Sequence, residues 1–189
     1  RELTRSQQES VKAELSLDYF KAGLYDRSEE LLLALNKDSY HQFSLNTLLD
    51  IYSKEREWNK AIATATELEK ISGISFRKNI SHFYCEIAVI HILEKNNNQA
   101  NDILRKALDE HKDCVRANIL LGDICETEEK FDEAISYWRK VEYQQPEYLG
   151  LVASKILNAY QRQNMLNEGL STLSGFYDLY KLKTLLSIL

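Results

Sequence analysis

The chain has 189 residues, of which 44% are hydrophobic and 28% charged, with one proline, six glycines and a net charge of −5. This is the composition of a soluble helical protein, and its acidic balance argues against a nucleic-acid groove, which needs clustered Lys and Arg to displace counterions. No apolar run approaches bilayer-spanning length, and three cysteines without a CxxC pair, Cys85, Cys114 and Cys125, signal neither a zinc ribbon nor a disulfide framework and fit a reducing compartment.

Hydrophobic periodicity predicts paired helices at roughly 4–22 and 26–37, 40–55 and 58–71, 77–95 and 97–111, 114–128 and 131–143, and 147–163 and 166–178. Thr4 and Asp26 stand where N-caps belong, and Gly23 reads as the left-handed residue of a turn between helices. Ser28, Ala61, Ala100, Ala134 and Gly169 recur at intervals of 33, 39, 34 and 35 residues, and the long interval points to an insertion within residues 71–79. Each opens the second helix of its pair, where the two backbones cross closest and a long side chain would hold them apart.

When that residue is numbered 20 in a 34-residue unit, position 8 facing it is Ala88 or Gly122. Position 11 is Tyr19, Tyr52, His91, Cys125 or Tyr160, and position 17 is Tyr25, Trp58, Asn97, Phe131 or Leu166. Where Asn97 replaces the large side chain, packing is expected to be looser. Pro146 closes the fourth unit because its ring cannot extend a helix. This spacing of large, small and terminating residues is that of the tetratricopeptide repeat.

The expected fold is therefore an all-α tetratricopeptide solenoid of about five antiparallel helix pairs in a single domain. The repeats fall at about 4–40, 41–75, 77–113, 114–147 and 148–178, with a partial helix over 179–189. No starting methionine is present, and the Leu- and Tyr-rich stretch 176–189 lacks a polar capping helix. Both features predict a piece of a longer protein, and the apolar end is a surface able to pair two copies in a homo-oligomer.

Catalytic chemistry finds little support. GxSxG, P-loop and dinucleotide fingerprints are missing from the sequence. His82, Cys85 and Glu86 share one helical turn, but no other Cys or His has the spacing to complete a metal site with them. No enzyme activity, metal or cofactor is expected in this segment.

The concave surface of such repeats is formed by first-helix positions 2, 5, 9, 12 and 13. Here these positions include Phe43, Asn46, Asp50 and Lys54, then His82, Cys85 and Val89, then Arg116, Ile119 and Asp123, and lastly Ser154, Asn158 and Arg162. Their mixed charge suits a peptide or protein partner, and about half are expected to be merely solvent-facing. The Lys/Asn clamp that holds a chaperone's terminal carboxylate in some repeats is missing from the first three units, its places taken by Ala13, Leu17, Thr47, His82 and Glu86.

Several strings go beyond the generic repeat: Asp18-Tyr19, then Ala22 through Glu29, then Glu57-Trp58-Asn59-Lys60-Ala61-Ile62, then His82 through Ala88. In that order and separation the chain resembles the middle of the lipopolysaccharide assembly protein B family, bacterial inner-membrane tetratricopeptide proteins. The resemblance implies an adaptor at the cytoplasmic face of the inner membrane. Such an adaptor limits lipopolysaccharide synthesis by promoting degradation of the deacetylase LpxC by the membrane protease FtsH. It also implies an N-terminal membrane anchor and a C-terminal rubredoxin-like metal knuckle, neither of which lies in this sequence, so the three cysteines are not its ligands. The alternative is a general tetratricopeptide co-chaperone or assembly scaffold.

Overall fold

The computed structural model describes residues 3–181. Among them every regular element is helical. The α-helices are α1 (Arg5–Lys21), α2 (Tyr25–Leu33), α3 (Lys37–Lys54), α4 (Trp58–Ser72), α5 (Arg77–Leu93), α6 (Asn97–Glu110), α7 (Val115–Thr127), α8 (Phe131–Arg139), α9 (Val141–Gln144), α10 (Leu149–Arg162) and α11 (Leu166–Tyr180), with a 3-10 turn at Pro146–Tyr148.

The turn inside every hairpin is the same structure. Gly23, Arg56, Lys95, Glu129 and Asn164 occupy equivalent places, five residues before the small residue, and all are left-handed with φ between 59° and 75°. After each, an N–H returns to the carbonyl of the residue five places earlier, as in Leu24 to Tyr19, Glu57 to Tyr52, Asn96 to His91, Lys130 to Cys125 and Met165 to Tyr160, at 2.8–2.9 Å. These Schellman-type bonds satisfy carbonyls that a helix end would otherwise leave open.

Only the first of the five turns has the glycine that a left-handed backbone favours. Glu129→Gly and Lys95→Gly should therefore each raise stability by about 0.5–1 kcal/mol, with a smaller gain for Asn164→Gly because Asn tolerates this region. Urea unfolding midpoints of the three variants provide the measurement.

Thr4 caps α1 in a full capping box with Gln7. Asp26 is not a cap: α2 begins at Tyr25, Leu24 is its N-cap, and Asp26 lies in the first turn, where its charge still complements the helix dipole. The turn after α2 also comes earlier than expected, because the Asn36 side chain accepts the Asp38 N–H at 2.9 Å and starts α3 there. The insertion resolves into a longer α4 that ends at left-handed Gly73, followed by a loop in which the Glu69 carboxylate accepts the Phe76 N–H. At the far end α11 continues through residues 179–180, which the expected following helix had claimed; residues 182–189 of that helix lie outside the described residues.

Contacts divide the chain into a first unit, residues 1–83, and a second, residues 84–189. In the first, α1 pairs with α2, α3 pairs with α4, and α2 packs on α3. Ser28 fills the close crossing of α1 and α2 and donates its hydroxyl to the Ser16 carbonyl at 2.8 Å, so the small polar pair is satisfied while fully buried. Ala61 fills the same place between α3 and α4. Trp58 stacks on Phe83 at 5.8 Å between ring centroids. The Glu29 carboxylate accepts the Tyr52 hydroxyl at 2.7 Å and Lys60 at 3.3 Å. Burial and that carboxylate push the Tyr52 phenol up, which keeps it a donor.

In the second unit α5, α6 and α7 share a core of Cys85, Ala88, Ala100, Leu104, Leu121 and Ile124. Helices α7 to α11 share another, built around fully buried Trp138, with Ala134, Leu149, Ile156 and Leu173. Gly122 allows the Trp138 indole to lie against α7, since a Cβ there would overlap the ring. Phe131 fills its junction as a partly buried part of that core. At the equivalent place Asn97 does not, and a recess of about 420 Å³ opens between Ile92, Leu120 and Ile124. The looser packing expected at Asn97 is thus visible as a cavity.

Candidate partner-binding face

In the first unit, Phe43, Asn46, Asp50 and Lys54 fall on one stripe of α3, as their helical spacing requires. Asn46, Asp50 and Lys54 are exposed, while Phe43 is half-buried against the edge of Tyr40. The Asn46 amide donates to the Gln42 carbonyl at 2.8 Å. Lys54 holds its ammonium 5.9 Å from the Phe20 ring centroid, so part of this stripe is braced against α1. His82 is exposed, its ring 6.1 Å from that of Phe83.

In the second unit the candidates divide into braced and open residues. Arg116 pairs with Glu86, joining the start of α7 to α5. Asp123 accepts the Trp138 indole N–H at 3.1 Å and the Lys155 ammonium at 2.6 Å, which ties α7 to both α8 and α10. The same indole N–H also reaches the carbonyl of half-buried Ile119, at 3.3 Å. Asn158 and Arg162 are exposed on α10.

Cys85 does not belong to the surface. It is fully buried, with its Sγ 3.8 Å from the Cys114 Sγ, because α5 turns its small residues Ser81, Cys85 and Ala88 inward. The Cys114 thiol and burial both push the Cys85 thiol up, so it stays protonated and poor as a nucleophile or ligand. With Cys85 inside and Glu86 held by Arg116, the turn at His82 does not gather ligands. Among the described residues no group of three His, Cys, Asp or Glu side chains could hold a metal ion, and no helix is long and apolar enough to cross a membrane.

Two partners escaped the sequence reading. Glu86 and Lys155 both stand at position 6 of their first helices, each facing an opposite charge on α7. Charge alternation between successive first helices was the available signal. The result is a face of paired charges, whose fields are local and mixed in sign, with open polar groups between them.

Repeated hairpins with a common left-handed turn, a small residue at each crossing and polar first-helix faces define a tetratricopeptide-repeat protein. No family model matches the chain. It is nonetheless related to lipopolysaccharide assembly protein B: it is 30% identical to the Escherichia coli K12 protein over 85% of this chain and 41% of that one. The Haemophilus influenzae protein of the same name is also 30% identical, over 83% of this chain and 40% of its own length. The chain thus spans about two fifths of these curated relatives. Among solved structures, MamA is similar over 94% of this chain and 97% of its own, with a TM-score of 0.55 at 16% identity. The N-terminal domain of stress-induced protein-1 from C. elegans is similar over 60% of this chain and 94% of its own, with a TM-score of 0.52 at 14% identity. Both likenesses concern the fold.

Proposed function

We propose that this chain is the partner-docking body of a lipopolysaccharide assembly protein B-like adaptor. In this reading it works at the cytoplasmic face of the bacterial inner membrane and promotes FtsH-dependent proteolysis of the deacetylase LpxC. The relationship to lipopolysaccharide assembly protein B over 85% of the chain carries the proposal. The exposed Asn46, Asp50, Asn158 and Arg162 on first helices give it a physical means. The chain does no covalent chemistry. It holds one protein near another, and the resulting effective concentration drives the encounter.

Binding of the chain to purified LpxC and, separately, to the cytoplasmic part of FtsH tests this. Saturable binding to at least one is expected, weakened about tenfold or more by the pair Asn46→Ala and Arg116→Ala. Binding to neither, with retention of unrelated unfolded chains instead, would overturn the assignment in favour of a general scaffold.

A further inference from the structure

The recess beside Asn97 is built by a missing side chain. Position 17 is large in the other four repeats, as Tyr25, Trp58, Phe131 and Leu166. Within the second unit Phe131 packs against the hydrophobic core, whereas half-buried Asn97 turns its amide to the Thr127 hydroxyl at 3.4 Å. The space left over, about 420 Å³, is walled by Ile92, Leu120 and Ile124 and bordered by Lys95 and Thr127. That volume lies toward the small end of ligand pockets, which run from about 300 to 1,000 Å³.

Charge at the mouth is one-sided. The Asp123 carboxylate, which also lines the recess, is already engaged by the Trp138 indole and the Lys155 ammonium. With Asp123 matched by Lys155, the ammonium of Lys95 leaves the rim positive. An acidic neighbour beside an inserted apolar group therefore fits this mouth, and a basic neighbour does not.

We propose that the recess receives one aromatic side chain from a partner polypeptide, seated where the repeat's own position-17 residue would lie, with an adjoining carboxylate of the partner facing Lys95. The fold itself specifies the occupant's size, since Trp58 and Phe131 show what this place in the repeat accommodates. A rigid aromatic ring gives large contact for little lost freedom. The inference does not depend on which protein supplies the ring, so its failure would leave the adaptor reading standing.

The test titrates the 189-residue chain with an acetylated, amidated Glu-Trp-Glu tripeptide, using Glu-Ala-Glu as control, and follows backbone amide chemical shifts. Saturable shifts are expected at Lys95, Asn97, Leu120 and Thr127 with the Trp peptide and not with the control. Asn97→Phe, which refills the recess, should abolish them. Lys95→Glu, on an exposed turn, should weaken binding about fivefold, and keeps the test decisive if the Phe variant does not fold. No saturable shift at these amides, equal response to the Ala peptide, or unchanged binding in Lys95→Glu would overturn the proposal.

Discussion

Gly122→Ala is expected to destabilise the second unit by about 3 kcal/mol, at the upper end of what overpacking a core costs. The added Cβ would overlap the Trp138 indole at its nitrogen and adjoining carbons. Trp138 is fully buried and is held at the Ile119 carbonyl and the Asp123 carboxylate, so it cannot retreat without losing packing and both hydrogen bonds. Gly175→Ala in α11 is the control. A Cβ there meets nothing within 4 Å, and alanine favours a helix by up to about 1 kcal/mol over glycine. Urea midpoints should fall sharply for the first variant and hold or rise for the second. Pairing Gly122→Ala with Trp138→Leu should cost less than the sum of the single changes, because both act through one contact.

Ala61→Leu is expected to cost the first unit about 2–3 kcal/mol by the same physics, since it places a branched side chain where α3 and α4 cross. Ala61 is fully buried. Ala63, two residues on in the same helix, is exposed, and Ala63→Leu should change stability by less than about 0.5 kcal/mol. Equal losses from the two variants, followed by thermal unfolding, would mean that the small-residue register does not mark the crossing point.

That register was legible because a crossing tolerates few residue types: Ser28, Ala61, Ala100, Ala134 and Gly169 announce themselves by size. Of the hairpin turns only the one at Gly23 was legible, because Arg56, Lys95 and Glu129 have no intrinsic taste for the left-handed region. The Schellman-type bonds and the packed helices on either side impose it on them. Asp26 looked like a cap on side-chain chemistry alone, yet the left-handed turn at Gly23 starts α2 at Tyr25, so the cap place falls to Leu24, which makes no side-chain hydrogen bond there.

At the candidate face, helical spacing located exposed Asn46, Asp50, Asn158 and Arg162, since a stripe follows from the period. It failed at Cys85 because rotation of α5 about its axis is decided by tertiary packing, with Cys114 opposite, and not by position in the repeat. Asp123 was read as a concave-face candidate for a partner, and the sequence did not show that Trp138 and Lys155, from different helices, claim its carboxylate. The void at Asn97 was readable for the opposite reason: a polar residue stood where four other repeats place a large one.

In the proposed adaptor, partners dock on the first helices of the hairpins. Amide hydrogen exchange of the chain alone, and with a saturating amount of whichever of LpxC or the cytoplasmic part of FtsH binds it, is the deciding measurement. Added protection is expected in α3, α7 or α10, with the exposed faces of α4, α8 and α11 unchanged. Protection confined to those second helices, or no protection at all, would contradict it.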